Sequence, residues 1–130
     1  LKLLNSPMEK LLIPDYLPLK DEGILVVLTH DTSAEPAQSN VVFTDKSPQE
    51  ITSMLKSRGY SEAIIIGGTE TVSHFIEGGF VNDLVLVVEP VLFGTGLPML
   101  KGIDNEYKLS LHEVKKLNDH SVQLHYHLKE

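Results

Sequence analysis

Ala63-Ile64-Ile65-Ile66-Gly67-Gly68-Thr69-Glu70-Thr71-Val72 reads as an apolar strand running into paired glycines and then a helix start. This is the order in which α/β proteins build a phosphate cradle. Two glycines let the backbone approach a diphosphate closely, and the unpaired amides of the helix N-terminus, with the positive end of its dipole, hold negative charge. The pattern points to a nucleotide cofactor. The same residues would also serve as an ordinary tight strand-to-helix turn, so the rest of the chain has to decide between the two.

Outward from this bend, strand and helix signals alternate. Ile24-Leu25-Val26-Val27-Leu28 is a continuous leucine and β-branched run ending at Thr29-His30-Asp31, which suits a strand buried on both faces of a parallel sheet. A polar loop from Thr32 to Asn40 leads to a short strand, Val41 to Phe43. Ser47-Pro48-Gln49-Glu50 has the form of a capping box with proline at the first helical position, opening a helix with Ile51, Met54 and Leu55 on one face and Gly59 past its end. Ala63 to Ile66 is the next strand, and the helix after Gly68 carries Val72, Phe75 and Ile76 on one stripe before Gly78-Gly79 ends it.

Leu84-Val85-Leu86-Val87-Val88 then reads as a central strand, with Pro90 where its pairing ends and Phe93-Gly94-Thr95-Gly96-Leu97-Pro98 as a glycine-rich turn. Tyr107 to Leu117 and Ser121 to Leu128 flank Asn118-Asp119-His120 as an antiparallel hairpin, and a change of parity between Leu111 and Val114 predicts a bulge. Near the start, Ser6-Pro7-Met8-Glu9 repeats the capping box and opens a short helix that must stop before Pro14, with a connector from Pro14 to Asp21.

Composition narrows the function. One core fits 130 residues and two do not, so a single domain over residues 1–130 is expected. The formal net charge is −7, with one arginine, Arg58, which argues against a nucleic-acid surface. A phosphorylated ligand would have to rely on backbone amides, helix termini and a few local cations. With no cysteine there is no disulfide framework and no thiolate chemistry. No apolar run approaches the ~20 residues of a membrane span, and Leu1 to Lys20 lacks the marks of a secretory signal, so a soluble, cytoplasmic protein that does not engage a membrane is expected. The sequence opens at Leu1 without an initiator methionine and is treated as truncated at its N-terminus.

Candidate sites follow from strand ends. Ligands of open α/β sheets lie beyond the carboxyl ends of strands, where Thr29 and His30 stand. Thr29 can hydrogen-bond a phosphate or ribose, and His30, charged beside a phosphate, could mark the 2′-phosphate that separates NADP from NAD; a solvated loop histidine is the plain alternative. Glu89, at the end of the Leu84 run, could face the crevice or simply be a solvated strand-end acid. Glu70, in the first turn after the glycines, favours the helix dipole but would repel a phosphate unless it points away. A two-residue turn at Asn118-Asp119 would set His112 across from His125 with His127 on the same face. Three imidazoles can bind zinc or copper, but an exposed polar face explains them too, and with no carboxylate-rich motif nearby no metal is expected. No Gly-x-Ser-x-Gly elbow or carboxylate pair supports a hydrolase.

Ile64-Ile65-Ile66-Gly67-Gly68, then Gly79-Phe80-Val81-Asn82-Asp83-Leu84, then Glu89-Pro90-Val91-Leu92-Phe93-Gly94-Thr95-Gly96-Leu97-Pro98, in this order and spacing, resembles the C-terminal reductase domain of bifunctional riboflavin-biosynthesis deaminase/reductase proteins. The resemblance is strongest from Ala63 to Leu100 and extends from Ile24 onward. It implies a dihydrofolate-reductase-like α/β fold, a three-layer αβα sandwich whose mostly parallel central sheet ends in a C-terminal antiparallel hairpin. It also implies NADPH as cofactor, hydride transfer to the ribose of a phosphoribosylamino-pyrimidine, and a homodimer.

Carried over by position, Leu28, Thr29 and His30 would meet the adenosine end of NADPH. Gly67 and Gly68 with Thr69, Glu70, Thr71 and Val72 would meet its pyrophosphate, Ile66 the nicotinamide side, and Glu89 would lie near the phosphorylated pyrimidine substrate. No general acid or base is named. Two substitutions depart from the family pattern: Asn82-Asp83 stands where an acidic pair is usual, and Thr69 where many relatives have a third glycine. The family's opening strand and pocket loop are expected to be missing from the front of this sequence. A reductase of another pterin or pyrimidine, or a noncatalytic nucleotide-binding or dimerisation module, would leave the same trace.

Overall fold

Leu25–Leu28 (β1) is the strand around which the rest is packed, because its alternate side chains are buried on opposite faces. It belongs to a computed structural model that describes residues 23–31, 33 and 39–129. The Ser6 helix, the connector from Pro14 and most of the loop after Asp31 lie outside the described residues. The remaining elements are β2 (Val41–Thr44), α1 (Pro48–Ser57), α2 (Thr69–Glu77), β3 (Asp83–Val88), β4 (Leu109–Lys116) and β5 (Val122–Leu128).

β1 pairs with β2 in parallel, Leu25 opposite Val41 and Leu28 opposite Thr44. On one face Val26 is buried against Ile51 of α1 and Phe75 of α2, with Ile24, Leu28, Met54, Leu55, Ile65, Phe80 and Val81 around them. Both helices thus share the Ile24-Val26-Leu28 face. Leu25 and Val27 form a second cluster on the other face with Val41 and Phe43. Among the described residues this second cluster holds no helical side chain.

Both helices start where their sequences say they should. Ser47 caps α1 in an extended conformation and completes the capping box: its hydroxyl accepts from the Glu50 amide, and the Glu50 carboxylate accepts from the Ser47 amide at 2.9 Å. The Ser47 amide first, and then the Ser47 hydroxyl, which also donates to this carboxylate at 2.8 Å, hold the exposed Glu50 carboxyl below the usual glutamate range. The helix ends at Arg58, and Gly59 takes the left-handed conformation, φ 85°, that lets the chain turn away.

The second sheet is antiparallel, in the order β3-β5-β4. The hairpin of β4 and β5 has the expected bulge, as pairing shifts between Leu111 and Glu113. Three details correct the sequence reading. Ala63 to Ile66 is not a regular strand: Ile66 alone makes an isolated bridge, and Ile64 and Ile66 remain exposed, so the apolar run has too little paired backbone to form a ladder. Among the described residues the Leu84 run is an edge strand paired only with β5, half-exposed at Val85 and Val87, rather than a central one. Finally, β4 and β5 are joined by residues 117–121 instead of a two-residue turn. Asn118 accepts from the amides of His120 and Ser121, which closes the wider loop and puts Glu113, not His112, opposite His125. Among the described residues, no helix is long and apolar enough to cross a membrane.

Removing the α1 cap tests this local account. Ser47→Ala should lower stability by about 1 kcal/mol in denaturant titrations at neutral pH. Because the Glu50 carboxyl is depressed in the folded state, its share of the cap is present above the ordinary glutamate value near 4.3 and is lost as pH falls through the lower folded value. The gap between Ser47→Ala and the parent should therefore narrow below about pH 4.

Candidate cofactor site

The bend at Gly67-Gly68 feeds α2 without a side-chain cap. Gly68 stands at the N-cap in an extended conformation, φ −70° and ψ 170°, and its carbonyl accepts the first helical bond, from the Val72 amide at 3.2 Å. Among the described residues no side chain caps the amides of the first turn, which carry the positive end of the helix dipole. Gly67 and Gly68 are both exposed.

α2 is held from both sides. Phe75 and Ile76 are buried in the core, and Phe75 meets the Phe80 ring edge-on. At the other side, the chain leaving the glycine-rich turn is bonded along the first half of the helix. Thr69 Oγ1 donates to the Pro98 carbonyl at 2.6 Å, Ser73 Oγ donates to the Thr69 carbonyl at 2.7 Å, and the Lys101 amide donates to Ser73 Oγ at 2.9 Å. Ser73 is accordingly buried. The turn from Gly94 to Leu97 therefore ends against the start of α2. A side chain added at Gly94 or Gly96 would meet only open space, and Leu92, Phe93 and Leu97 are almost wholly exposed beside them.

Glu70 lies 3.9 Å from the Lys101 ammonium, which offsets its charge at the helix start although both groups are well exposed. Leu28 and Ile65 pack into one cluster, so the end of β1 and the approach to the glycine bend share a core. Beyond Leu28, Thr29 donates its amide to the Thr44 carbonyl, and its hydroxyl accepts from the Asp31 amide at 3.1 Å. His30 is exposed. The side-chain hydroxyl and then the amide of Ser33 hold the exposed Asp31 carboxyl below the ordinary aspartate range. Thr71 and Val72 are half-buried on α2. Glu89 is placed with the hairpin sheet, where its carboxylate accepts from the buried Ser121 hydroxyl at 2.5 Å.

The structure also gathers residues that the sequence kept apart. Asp83, at the start of β3, stands opposite His127 in register and accepts or shares hydrogen bonds with His125 Nε2 at 2.8 Å and His127 Nδ1 at 2.6 Å. His125 first, with His127 after it, holds the Asp83 carboxyl below the ordinary aspartate range. The antiparallel register of β3 with β5 is the signal that could have found Asp83, and the sequence offered no marker of that register.

The fold defines an α/β protein of dihydrofolate-reductase-like type. The chain belongs to the family of the RibD C-terminal domain, whose sequence profile matches residues 9–122. It is 31% identical over 117 residues to the uncharacterized protein YwjB of Bacillus subtilis (strain 168), which covers 90% of this chain and 65% of YwjB. Among solved structures, a protein described as a riboflavin biosynthesis protein, from Shewanella sp. PV-4, aligns with a TM-score of 0.70 at 22% identity over 82% of this chain and 61% of that one. A diaminohydroxyphosphoribosylaminopyrimidine deaminase/5-amino-6-(5-phosphoribosylamino)uracil reductase from Thermotoga maritima aligns with a TM-score of 0.62 at 19% identity, over 85% of this chain and 32% of that one. The chain thus spans about two-thirds or less of the length of these relatives. The family is one of reductase type, associated with riboflavin biosynthesis.

Ser73 makes the tie between α2 and the returning chain testable. Ser73→Ala leaves the Lys101 amide without its acceptor and should cost about 1–3 kcal/mol. Hydrogen exchange should show the Lys101 amide losing protection while the amides of β5 keep theirs.

Proposed function

We propose that this protein is an NADPH-dependent oxidoreductase of the riboflavin-biosynthesis type, reducing the ribose of a phosphoribosylamino-pyrimidine. The carrying observation is the exposed glycine bend that opens α2 with its first-turn amides uncapped. In a chain of net charge −7, fixed backbone dipoles are the donors best suited to a diphosphate, since they bring no side chain that must be desolvated. Lys101, whose ammonium lies 3.9 Å from the Glu70 carboxylate, offsets part of that acid's charge at the helix start.

In this reading Gly67, Gly68, Thr69, Glu70, Thr71 and Val72 hold the pyrophosphate. Leu28, Thr29 and His30 take the adenosine end, Ile66 flanks the nicotinamide, and Glu89 stands toward the phosphorylated substrate. The Thr29 hydroxyl, having accepted from Asp31, can still donate its own proton outward. NADPH, when bound, supplies the hydride. The protein's part is to bind and orient, holding donor and acceptor carbons at reacting distance and keeping water out. A soluble, cytoplasmic homodimer goes with this reading, and the half-exposed Leu111 and Val114 on the apolar side of β4 offer surface for a second copy.

Gly68→Asp separates binding from folding. The N-cap backbone of Gly68 is one that aspartate adopts readily, and aspartate is a better N-cap than glycine by a few tenths of a kcal/mol. The variant should melt at or slightly above the parent temperature. Its carboxylate would occupy the first-turn amides and repel the diphosphate, so NADPH affinity, followed by nicotinamide fluorescence with the full-length protein, should fall by about tenfold or more, equivalent to roughly 1.4 kcal/mol. Unchanged NADPH binding by a folded Gly68→Asp protein, or failure of the parent to bind NADPH, would count against the proposal.

A further inference from the structure

The proposed reductase reading makes no use of the imidazoles on the second sheet, and their arrangement is specific. Asp83, His125 and His127 each offer one ligand atom, and these atoms all lie within 4.8 Å of one another. The ring of His112 lies 4.7 Å from that of His125 and 4.5 Å from that of His127, centre to centre. We propose that Asp83, His112, His125 and His127 form a binding site for a divalent transition-metal ion, and that the ion is zinc.

The site is built by the sheet rather than by chance proximity of long side chains. His125 and His127 are alternate residues of β5 and so point to one face, and Asp83 is the cross-strand partner of His127 on β3. His112 is the residue at which the pairing of β4 with β5 shifts, between Leu111 and Glu113. A bulge turns a side chain out of the ordinary alternation, and here it brings a third imidazole over the other two. All three strands contribute a ligand, and strand-borne ligands are held more firmly than loop-borne ones. No carboxylate-rich motif stands near these histidines in the sequence, and strand register brings the Asp83 carboxylate to two of them.

The donor set selects the ion. Two imidazole nitrogens and one carboxylate oxygen, with the His112 ring beside them as a fourth ligand, suit zinc and its neighbours in the transition series, whereas magnesium and calcium prefer oxygen throughout. One Asp83 oxygen already stands 2.8 Å and 2.6 Å from the two imidazole nitrogens, with hydrogen-bond protons between them. Tetrahedral zinc with bonds of 2.0–2.2 Å would set ligand atoms roughly 3.3 Å apart, an opening of about half to three-quarters of an ångström. Rotations of side chains that are partly exposed can supply that. Binding then exchanges the shared protons for the ion.

Zinc chloride titrated into the full-length protein against a chromophoric chelator should show one equivalent bound, undiminished by excess magnesium. The melting temperature should rise by a few degrees with zinc, because the ion ties three strands together in the folded state alone. His125→Gln, His127→Gln and Asp83→Asn should each weaken zinc binding by at least about tenfold, the lower end of what loss of even an outer-shell partner costs. Cobalt in place of zinc should give the intense visible bands of a tetrahedral centre in the unaltered protein, and His112→Gln should change them. Zinc affinity of the parent no greater than that of the double variant His125→Gln/His127→Gln would overturn the proposal. Absence of tetrahedral cobalt bands from the unaltered protein would do so as well, whatever the folding of the variants.

Discussion

Phe75 and Ile51, packed on Val26, make the contact on which the rest of this structure depends. Val26 lies in the middle of β1 and is fully buried, so both helices must present an apolar stripe to one strand face. Burying side chains of this size contributes about 1.5–3 kcal/mol each, which outweighs any single surface interaction in the chain. That contact fixes α2 through its C-terminal half. The N-terminal half is then held by the Thr69 and Ser73 bonds to the chain that returns from the glycine-rich turn. Core packing and these few polar ties hold α2 in place, and among the described residues no side chain caps its first-turn amides.

Charge bears on the form of the proposed cofactor site. A strongly acidic chain with a single arginine cannot gather cations around a diphosphate cheaply, but helix amides carry their partial charges in place regardless of composition. Glu70, the acid in the first turn of α2, lies 3.9 Å from the ammonium of Lys101 on the same returning segment that braces the helix. Ser73 and Lys101 thus tie the returning chain to α2 and place a cation near the start of the helix.

Legibility in the sequence followed the range of the interaction. The α1 cap, the glycine after its end, the buried stripe of α2 and the buried β1 run were all readable, because each is set within one element by residues a few positions apart. The edge position of β3 was not readable, since an unbroken apolar run looks the same whether its neighbours are one strand or two. Nor was the loss of regular pairing at Ala63 to Ile66, where propensity pointed to a strand but only Ile66 finds a bridge. At the candidate cofactor site, the glycine bend and its helix were legible as a motif, while the ties of Thr69 and Ser73 to residues nearly thirty positions later were not. The histidines were visible and their carboxylate partner was hidden, because Asp83 joins them across more than forty residues through strand register.

The most direct test of the central claim reads the backbone amides themselves. In nitrogen–proton correlation spectra of the labelled full-length protein, addition of NADPH should move the amide signals of Gly68, Thr69, Glu70 and Thr71 to lower field, along a single saturable curve. Signals at those positions that stay fixed while NADPH moves a different set, or moves none, would contradict the account.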